Sequence, residues 1–306
     1  MTSEGGVSEQ RAALGHALPV IINPAAGSAP DVLEALREAG GFDVIETDAD
    51  GIAGAIQDSV VAGHRRIVVA GGDGTVGAAA AELVGLPMEL AVIPAGTLNH
   101  FARDHGIPVD VAEAITLAKT GVARPADVAR VNGRIFLNTS SVGAYVAFVR
   151  ARDRIEGTYG YRIASLLAAV RTYFGMHRFA VEVAGPDGPR AFRTPLLFIG
   201  VGERELQVPT LGGRVAEGER GLHVMVVRGR TRGAVLALAL GAAIRGLRGV
   251  PAPRLEALLL DRCVVTLRKP ALIATDGEIA HLDAPFEYEL LRDAIQLVQP
   301  DVGGAG

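Results

Sequence analysis

Residues 67–77 carry the pattern most suggestive of chemistry, an apolar run followed by a glycine-rich turn that contains one carboxylate, Asp73. Backbone N–H groups at a turn between a strand and a helix converge on one point, where the helix dipole also favours negative charge. The pattern therefore predicts a phosphate-binding turn. The carboxylate would repel bare phosphate, so it is more easily explained if it meets a divalent metal or a reacting hydroxyl group. The alternative is that the glycines merely form a tight turn.

Two better-known phosphate loops fit the chain poorly. The stretch 72–77 matches GxGxxG, but the dinucleotide pattern also requires an acidic residue about 20 residues further on, at the end of the next strand. The next predicted strand, 90–93, ends at Pro94, and no acidic residue follows it. A P-loop requires GxxxxGK, and the chain has no lysine before Lys119. Both interpretations are disfavoured.

A second unusual loop, PAGTLNHFAR at 94–103, follows one βα unit later. Loops that leave the carboxyl ends of neighbouring parallel strands converge on one crevice. Thr97, Asn99 and Arg103 are therefore expected to share a ligand with Asp73. For Arg103, a surface ion pair is the alternative to a phosphate contact.

With both loops located, the chain resembles the diacylglycerol kinase catalytic-domain family of bacterial lipid kinases, which is related to sphingosine kinases and more distantly to NAD kinases. The matching motifs are NPAAG at 23–27, GGDGT at 71–75, PAGTLNHFARDHGIP at 94–108 and ATDGE at 274–278. The resemblance implies a kinase that uses ATP and Mg²⁺ and transfers the γ-phosphoryl group to a lipid hydroxyl. Diacylglycerol, giving phosphatidic acid, is the default acceptor of the family, although no residue identifies the lipid.

The chain departs from the family in two places. His100 stands where many members carry Asp, although a bacterial subgroup resembles the NHFA of this chain. The segment 219–223 reads ERGLH, where the family has an acidic DGxLD segment that is linked in some members to a structural metal. Whether that metal site survives is left open by the sequence.

ATDGE places Asp276 and Glu278 around one glycine. In phosphoryl transfer, one carboxylate must lie within hydrogen-bond reach of the attacking hydroxyl group. The bare sequence favours a simple Asp-Gly hairpin turn instead. The resemblance implies that Asp276 is the general base, with Glu278 orienting it or raising its pKa by like-charge proximity. Asp73 competes for the same role, and is otherwise the residue for metal and phosphate positioning.

The resemblance and the expected carboxyl-end positions also imply a set of nucleotide contacts. For Thr47, an N-cap of the helix that begins near residues 48–51 is an equally weighted alternative. Asp127 matches an Asp common in the family, with a turn or cap role as the alternative. The predicted ATP-binding set comprises Asn23, Pro24, Ala25, Ala26, Gly27, Thr47, Gly71, Gly72, Gly74, Thr75, Thr97 and Asn99, with Asp73 as a ligand of the ATP-bound Mg²⁺.

The composition limits which classes of binding partner and which cellular location are expected. The chain has 306 residues, a net charge of −4 and a pI near 6.0, so no global basic field attracts nucleic acid. Cys263, the single cysteine, lies in an apolar run and is expected to be a buried, inert thiol. The apolar stretch 233–244 has 12 residues, too short to span a bilayer, and predicts a packed or interfacial helix. The first residues carry no signal-peptide pattern, so a cytoplasmic protein with at most peripheral contact at the inner membrane face is expected.

Strand and helix signals alternate over 18–119, which predicts an α/β nucleotide-binding lobe with a parallel, NAD-kinase-like sheet and helices on both faces. Period-two segments follow, with helices at about 159–173 and 233–247, and they predict a second, mostly antiparallel β-sandwich lobe. The expected division is a flexible tail at 1–17, an ATP lobe at 18–123 to which 291–300 returns, and a lipid-binding lobe at 124–290.

Two further functions stay open at this point. A soluble-substrate kinase of the NAD-kinase type is disfavoured by the loop at 94–108 and by the sheet-rich second half of the chain. A non-catalytic nucleotide or lipid sensor needs only the phosphate turn, and retention of both acidic clusters argues against it. The oligomeric state cannot be read from the sequence.

Overall fold

A computed structural model describes residues 17–175, 177–204, 213–215, 217–228, 254–269 and 271–301. The chain divides into two compact units, residues 1–124 with 295–306 and residues 125–294. The predicted helix at 233–247 and almost all of the predicted tail at 1–17 lie outside the described residues.

The first unit is an α/β layer structure, as predicted. Its parallel sheet has the order β2-β1-β3-β4-β16, with the end of β16 pairing to β4 through Gln296 and Leu297. The strands are β1 (Leu18–Ile22), β2 (Phe42–Glu46), β3 (Arg66–Gly71), β4 (Glu89–Pro94) and the last residues of β16 (Phe286–Gln299). The helices are α1 (Ala29–Ala39), α2 (Ile52–Val61), α3 (Asp73–Leu83), α4 (His100–Asp104) and α5 (Val111–Thr120).

Burial explains why the strands of this unit read as apolar runs. Ile67 to Ala70 of β3 are all fully buried, because helices cover both faces of the sheet. Val20 and Ile22 of β1 pack with α1 and α5, whereas the intervening Ile21 points to the other face and is also fully buried. The carboxyl ends of β1, β3 and β4 lead into the glycine-containing turns that the sequence singled out.

The second unit is a sandwich of two antiparallel sheets, also as predicted. One sheet has the order β12-β11-β10-β7-β14-β15, and the other contains β16-β13-β8-β9 with β5 and β6 beside β16. The strands are β5 (Val122–Val131), β6 (Arg134–Phe136), β7 (Thr139–Gly143), β8 (Phe179–Gly185), β9 (Gly188–Thr194), β10 (Leu196–Val201), β11 (Leu222–Arg228), β12 (Arg254–Leu260), β13 (Arg262–Leu267), β14 (Ile273–Thr275) and β15 (Glu278–Ala280).

Side chains from both sheets form one core. Val142 and Ile199 of the first sheet pack in the same cluster as Val265 and Phe286 of the second. The buried Tyr288 hydroxyl pairs with Ser140 Oγ at 2.9 Å, which satisfies both polar groups inside the core. Cys263 is buried, as expected, and burial raises its pKa to about 12, which disfavours the reactive thiolate.

One helical region of this unit is longer than predicted. Helical residues run from Ala144 to Gly175 and form α6, which Gly160 breaks with a φ of +73°. The prediction of 159–173 therefore captured only the part after the break. Within the part of the chain that the structure describes, no helix is both long and apolar enough to cross a membrane.

Candidate active site

The sequence pattern predicts that helix α3 begins at Val76, after the GGDGT turn, but the helix begins at Asp73, inside that turn. An acidic residue in the first turn of a helix is stabilised by the helix dipole. The Asp73 carboxylate accepts hydrogen bonds from the backbone N–H groups of His100 and Phe101, each at 3.1 Å. The carboxylate of the first glycine turn thus caps the short helix that follows the second loop, and the two loops form one structure.

Glycine is required where these two loops meet. A Cβ placed on Gly96 would lie 2.5 Å from the Cα of Gly72, closer than real Cβ contacts allow. Ala95 N also donates to Gly71 O at 2.9 Å. The backbones of the two loops are therefore in direct contact, an approach that only glycine allows.

Asn99 holds the second loop in shape. Its Oδ1 accepts from Gly96 N at 3.0 Å and its Nδ2 donates to Gly96 O at 2.8 Å. The side chain is largely buried and the residue has a φ of +51°, a conformation that Asn tolerates better than most residues. The structure thus gives Asn99 a loop-shaping role, and its predicted contact with the nucleotide stays a prediction.

The NPAAG turn after β1 is tied to the same region. Asn23 Oδ1 accepts from Ala25 N at 2.9 Å, and Asn23 O accepts from Ala26 N at 3.0 Å, so the side chain closes the turn. Ser28, which the sequence argument did not include, donates to Ala95 O at 2.8 Å. Loops after β1, β3 and β4 are therefore joined by hydrogen bonds within the first unit.

The remaining predicted contacts of this unit lie at its surface or beside the turns. Gly74 and Thr97 are exposed, and Thr75 packs against Gly71, where an added Cβ would lie 2.6 Å from the Thr75 side chain. The alternative role of Thr47 as an N-cap is wrong, since the N-cap of α2 is Gly51. Asp48 supports that turn instead, accepting from Gly51 N at 3.2 Å.

Asp276 lies in the second unit, at the first position of a two-residue hairpin turn between β14 and β15. Asp276 and Gly277 have φ values of +48° and +85°, as a type I′ turn requires. The hairpin that the bare sequence favoured is therefore present. It does not exclude a chemical role, because the carboxylate is held in a separate and specific way.

Three consecutive backbone N–H groups bind the Asp276 carboxylate. Leu137 N donates to Oδ2 at 2.7 Å, while Asn138 N and Thr139 N donate to Oδ1 at 2.8 and 2.9 Å. The Asp276 N–H in turn donates to Thr139 O at 2.8 Å. Hydrogen bonds of this kind stabilise the ionised carboxylate and fix its direction.

Arg134, which the sequence argument missed, grips the same hairpin. Its Nε donates to Thr275 Oγ1 at 3.0 Å, and its Nη2 lies 3.3 Å from Glu278 Oε2. Glu278 is exposed and pairs with this arginine. The hydrogen bonds that orient the Asp276 carboxylate come from the backbone amides of 137–139. The role of Glu278 toward the base stays a prediction. One segment, 134–139, thus holds three residues of the hairpin.

Asp127 is neither a turn nor a cap residue, because it lies inside β5 and is buried. The Arg220 guanidinium pairs with its carboxylate, with Nε donating to Oδ2 at 2.8 Å. The sequence alone does not indicate that Asp127 is a buried carboxylate in a strand. The arginine that neutralises its charge lies 93 residues away along the chain, so no local pattern reveals the pair.

The structure brings the predicted residues together in two groups. The first unit gathers 23–27, 71–75 and 96–99, and the second gathers Asp276 and Glu278. The expectation that Asp73 and Asp276 face one cleft stays a prediction. Of the described residues, no three or more His, Cys, Asp or Glu form a group that could hold a metal by themselves. Asp73 fits Mg²⁺ only as one carboxylate that acts with nucleotide phosphates, which is how nucleotide-bound Mg²⁺ is commonly held.

Comparison with known proteins finds a family match for the first of these groups. Residues 17–131 match the diacylglycerol kinase catalytic domain. The match contains the NPAAG, GGDGT and PAGTLNHFARDHGIP motifs, and ATDGE lies beyond its end.

Two curated bacterial relatives carry the name "Probable lipid kinase YegS-like". The protein of Pseudomonas syringae pv. tomato is 34% identical over 153 residues, which cover 48% of this chain and 48% of that protein. The protein of Pseudomonas fluorescens Pf0-1 is 29% identical over 249 residues, or 78% and 75% of the two chains. In the first match, as in others like it, the chain spans about half the length of the curated relative.

A solved structure extends the likeness in fold to nearly the whole chain. The crystal structure of a diacylglycerol kinase from Bacillus anthracis str. Sterne aligns with a TM-score of 0.66 and 21% identity. The alignment covers 94% of this chain and 97% of that one. At this identity the comparison concerns the fold alone, and the chemistry has to be argued from the site.

Proposed function

We propose that this protein is an ATP-dependent lipid kinase that transfers the γ-phosphoryl group of ATP to a lipid hydroxyl group. The observation that carries the proposal is the Asp276 carboxylate, which three backbone N–H groups fix in direction. A sensor that only binds a nucleotide would not need a second carboxylate held in this way. The family of residues 17–131 and the names of the relatives support the same activity.

The nucleotide side of the reaction belongs to the first unit. Backbone N–H groups of the GGDGT turn would bind phosphate oxygens, and the contacting loop at Gly96 would hold that turn in place. Asp73, held by the His100 and Phe101 N–H groups, would contact the Mg²⁺ that accompanies ATP. When bound, that ion neutralises charge that develops on the transferred phosphoryl group.

The acceptor side belongs to the second unit. The lipid hydroxyl oxygen forms a bond to the γ-phosphorus, the bond from that phosphorus to the bridging oxygen breaks, and ADP leaves. Asp276 accepts the hydroxyl proton. Its three N–H partners fix the direction of the carboxylate, and the proton is transferred late. A late transfer suits a loose transition state in which the attacking oxygen carries little positive charge.

Diacylglycerol, giving phosphatidic acid, is the acceptor we propose first. The names of the relatives and the family support a lipid, and a cytoplasmic enzyme with peripheral contact at the membrane would meet one. An acceptor of the NAD-kinase type and a non-catalytic sensor are the competing functions. The long loop at 94–108 and the β-sandwich are the features that favour a lipid over NAD.

The test is transfer of label from γ-labelled ATP in the presence of Mg²⁺ to a panel of diacylglycerol, phosphatidylglycerol, sphingoid bases and NAD, followed by mass analysis of the products. We expect a phosphorylated lipid, with diacylglycerol as the best acceptor. Labelled NADP would overturn the lipid proposal. Nucleotide binding without product from any acceptor, including a mixed lipid extract, would favour the sensor.

A further inference from the structure

Arg220 lies between two carboxylates of the second unit. Its Nη2 donates to Asp293 Oδ1 at 2.7 Å and also pairs with Asp127 Oδ1, while its Nε donates to Asp127 Oδ2 at 2.8 Å. The Asp293 N–H adds a hydrogen bond to Asp127 Oδ1 at 2.9 Å. One guanidinium therefore joins β5, β16 and the segment before β11.

The positive charge of Arg220 compensates the negative charge of a buried carboxylate. The Asp127 side chain is only 3% exposed, and an isolated buried carboxylate is costly. Burial alone would raise the pKa of Asp127, but the hydrogen bonds from Arg220 and Asp293, together with the charges of Arg220 and Arg214, outweigh it and lower that pKa. The bond to Asp127 likewise raises the pKa of Arg220 above its ordinary value.

The same segment is the one that an acidic, metal-linked sequence occupies in the resembling family, and its residues here do not fit a metal. His223 Nδ1 accepts from Arg204 N at 2.8 Å, so that ring nitrogen is occupied. The residue at 220 is a cation, and a divalent ion beside it would be repelled. Across the described ranges, no cluster of three or more ligand side chains could hold a metal.

We propose that Arg220 is a built-in cation of the second unit, which takes the charge-neutralising position between Asp127 and Asp293 and makes the stability of this unit independent of a divalent metal. The proposal concerns stability and does not depend on the kinase activity or on the Mg²⁺ that accompanies ATP.

Metal content and chelator response test the proposal on the unaltered protein. The protein is dialysed against EDTA without nucleotide, its bound metals are measured by mass spectrometry, and its Tm is recorded with EDTA, Mg²⁺ or Ca²⁺. We expect less than about 0.1 metal ion per chain, and Tm values that agree within about 1 °C. About one retained divalent ion per chain, or a fall of several degrees with EDTA, would overturn the proposal.

Removal of the cation gives an independent test with a matched control. In Arg220→Ala, the buried Asp127 loses its ion partner, and we expect Tm to fall by about 5 to 10 °C. Arg262→Ala is the control. The Arg262 side chain is 78% exposed and pairs with Glu289, and in the variant Glu289 still has Arg130 as an ion partner. Arg220→Lys keeps the charge without the two-point contact and should lie between the two. Equal Tm values for Arg220→Ala and Arg262→Ala would contradict a specific role for Arg220.

If Arg220→Ala does not fold, Arg220→Lys and the metal measurements on the unaltered protein still decide the matter. Loss of folding in Arg262→Ala as well would indicate that surface arginines are generally needed, and would count against the proposal.

Discussion

Asp73 in the first unit and Asp276 in the second are both held by backbone N–H groups, but the donors lie at very different distances along the chain. The donors to Asp73, at 100 and 101, are 27 and 28 residues away and belong to the next βα unit. The donors to Asp276, at 137–139, are 137 to 139 residues away. The nucleotide turn is thus built by consecutive elements, whereas the acceptor carboxylate depends on long-range strand pairing.

This difference suggests which function each region can lose by itself. A local turn survives small changes elsewhere, because its hydrogen bonds close within two neighbouring loops. The Asp276 turn requires β14 to pair with β7 and β6 to follow β5 before any donor is in place. We therefore expect changes in the second unit to damage turnover while nucleotide binding persists, and changes in the first unit to damage binding.

The largest expected effect is that of Asp276→Asn. The amide cannot take the hydroxyl proton, and its NH₂ group would face at least one of the three N–H donors. We expect the turnover number to fall by about 10²- to 10⁴-fold, the range for loss of a general base, with nucleotide affinity nearly unchanged. Labelled ATP turnover and calorimetric ATP binding measure the two quantities.

Asp73→Asn is the counterpart in the first unit. We expect weaker nucleotide binding and altered Mg²⁺ dependence, because one charge that faces the ion is removed. If Asp276→Asn turned over normally, Asp276 would not be the base. If Asp73→Asn kept normal Mg²⁺ dependence, the two acidic turns would not divide the work as proposed.

Gly96→Ala probes the contact between the two glycine loops. The added methyl group would lie 2.5 Å from the Gly72 backbone, so the loops must separate and their N–H groups lose their alignment. We expect ATP affinity to fall by about 10-fold or more, with each hydrogen bond to a phosphate worth about 1.5 to 3 kcal/mol. Isothermal calorimetry with ATP and Mg²⁺ measures the loss.

Gly77→Ala is the matched control. Gly77 lies in α3, four residues after Asp73, and an added Cβ there meets nothing within 4 Å. We expect unchanged affinity and a small gain in stability, since Ala is the better helix former. An equal loss of affinity in both variants would point to α3 rather than to the loop contact.

The contrast between near and distant donors also explains what the sequence could predict. The α/β unit was predictable because strands buried on both faces read as apolar runs, and helices begin shortly after them. The start of α3 was placed three residues late, since Gly74 and Thr75 are weak helix formers whereas Asp73 favours the first turn. The turn at Asp276 was predictable from Asp-Gly alone.

Side-chain partners that lie far apart in the sequence could not be predicted. Arg134 is 141 residues from Thr275, and Arg220 is 93 residues from Asp127, so no local pattern links them. The first part of α6 was missed because it follows directly from the strand β7. What a chain builds between distant segments follows from packing, which only the structure supplies.

Arg134→Ala tests whether the long-range hold on the Asp276 hairpin matters for turnover. Without the guanidinium, Thr275 and Glu278 lose their contacts, while the three amides still bind Asp276. We expect about a 10-fold lower turnover number with the KM for ATP within about two-fold, because misplacement of a catalytic group costs rate rather than nucleotide binding. Arg134→Lys should recover part of the rate.

Arg130→Ala serves as the control. Arg130 lies on β5, which pairs with the strand β6 that carries Arg134, but it forms its ion pair with Glu289. A second check is a double-mutant cycle between Arg134→Ala and Glu278→Ala, which should show coupling. Full activity in Arg134→Ala would mean that the backbone amides alone position the base.

The smallest expected effect concerns pH, and it should be confined to the second unit. Burial lowers the pKa of His223 below 6.5. The charge of Arg204 lowers this pKa further, whereas the charge of Glu203 raises it. The net lowering means that the folded state favours the neutral ring. As pH falls below 6.5, the unfolded chain binds a proton that the folded chain does not, and stability decreases. The slope for one proton cannot exceed about 1.4 kcal/mol per pH unit.

His223→Asn removes this titration while its Oδ1 can still accept from Arg204 N, so urea unfolding between pH 7 and 5.5 should show a smaller loss of stability than the unaltered protein. His281→Asn, at an exposed position of the same unit, should leave the loss unchanged. Hydrogen exchange should place the effect in β11 and leave β1 to β4 unaffected. An equal loss in His223→Asn would assign the pH response to other groups, and a response in β1 to β4 would remove the distinction between the two units.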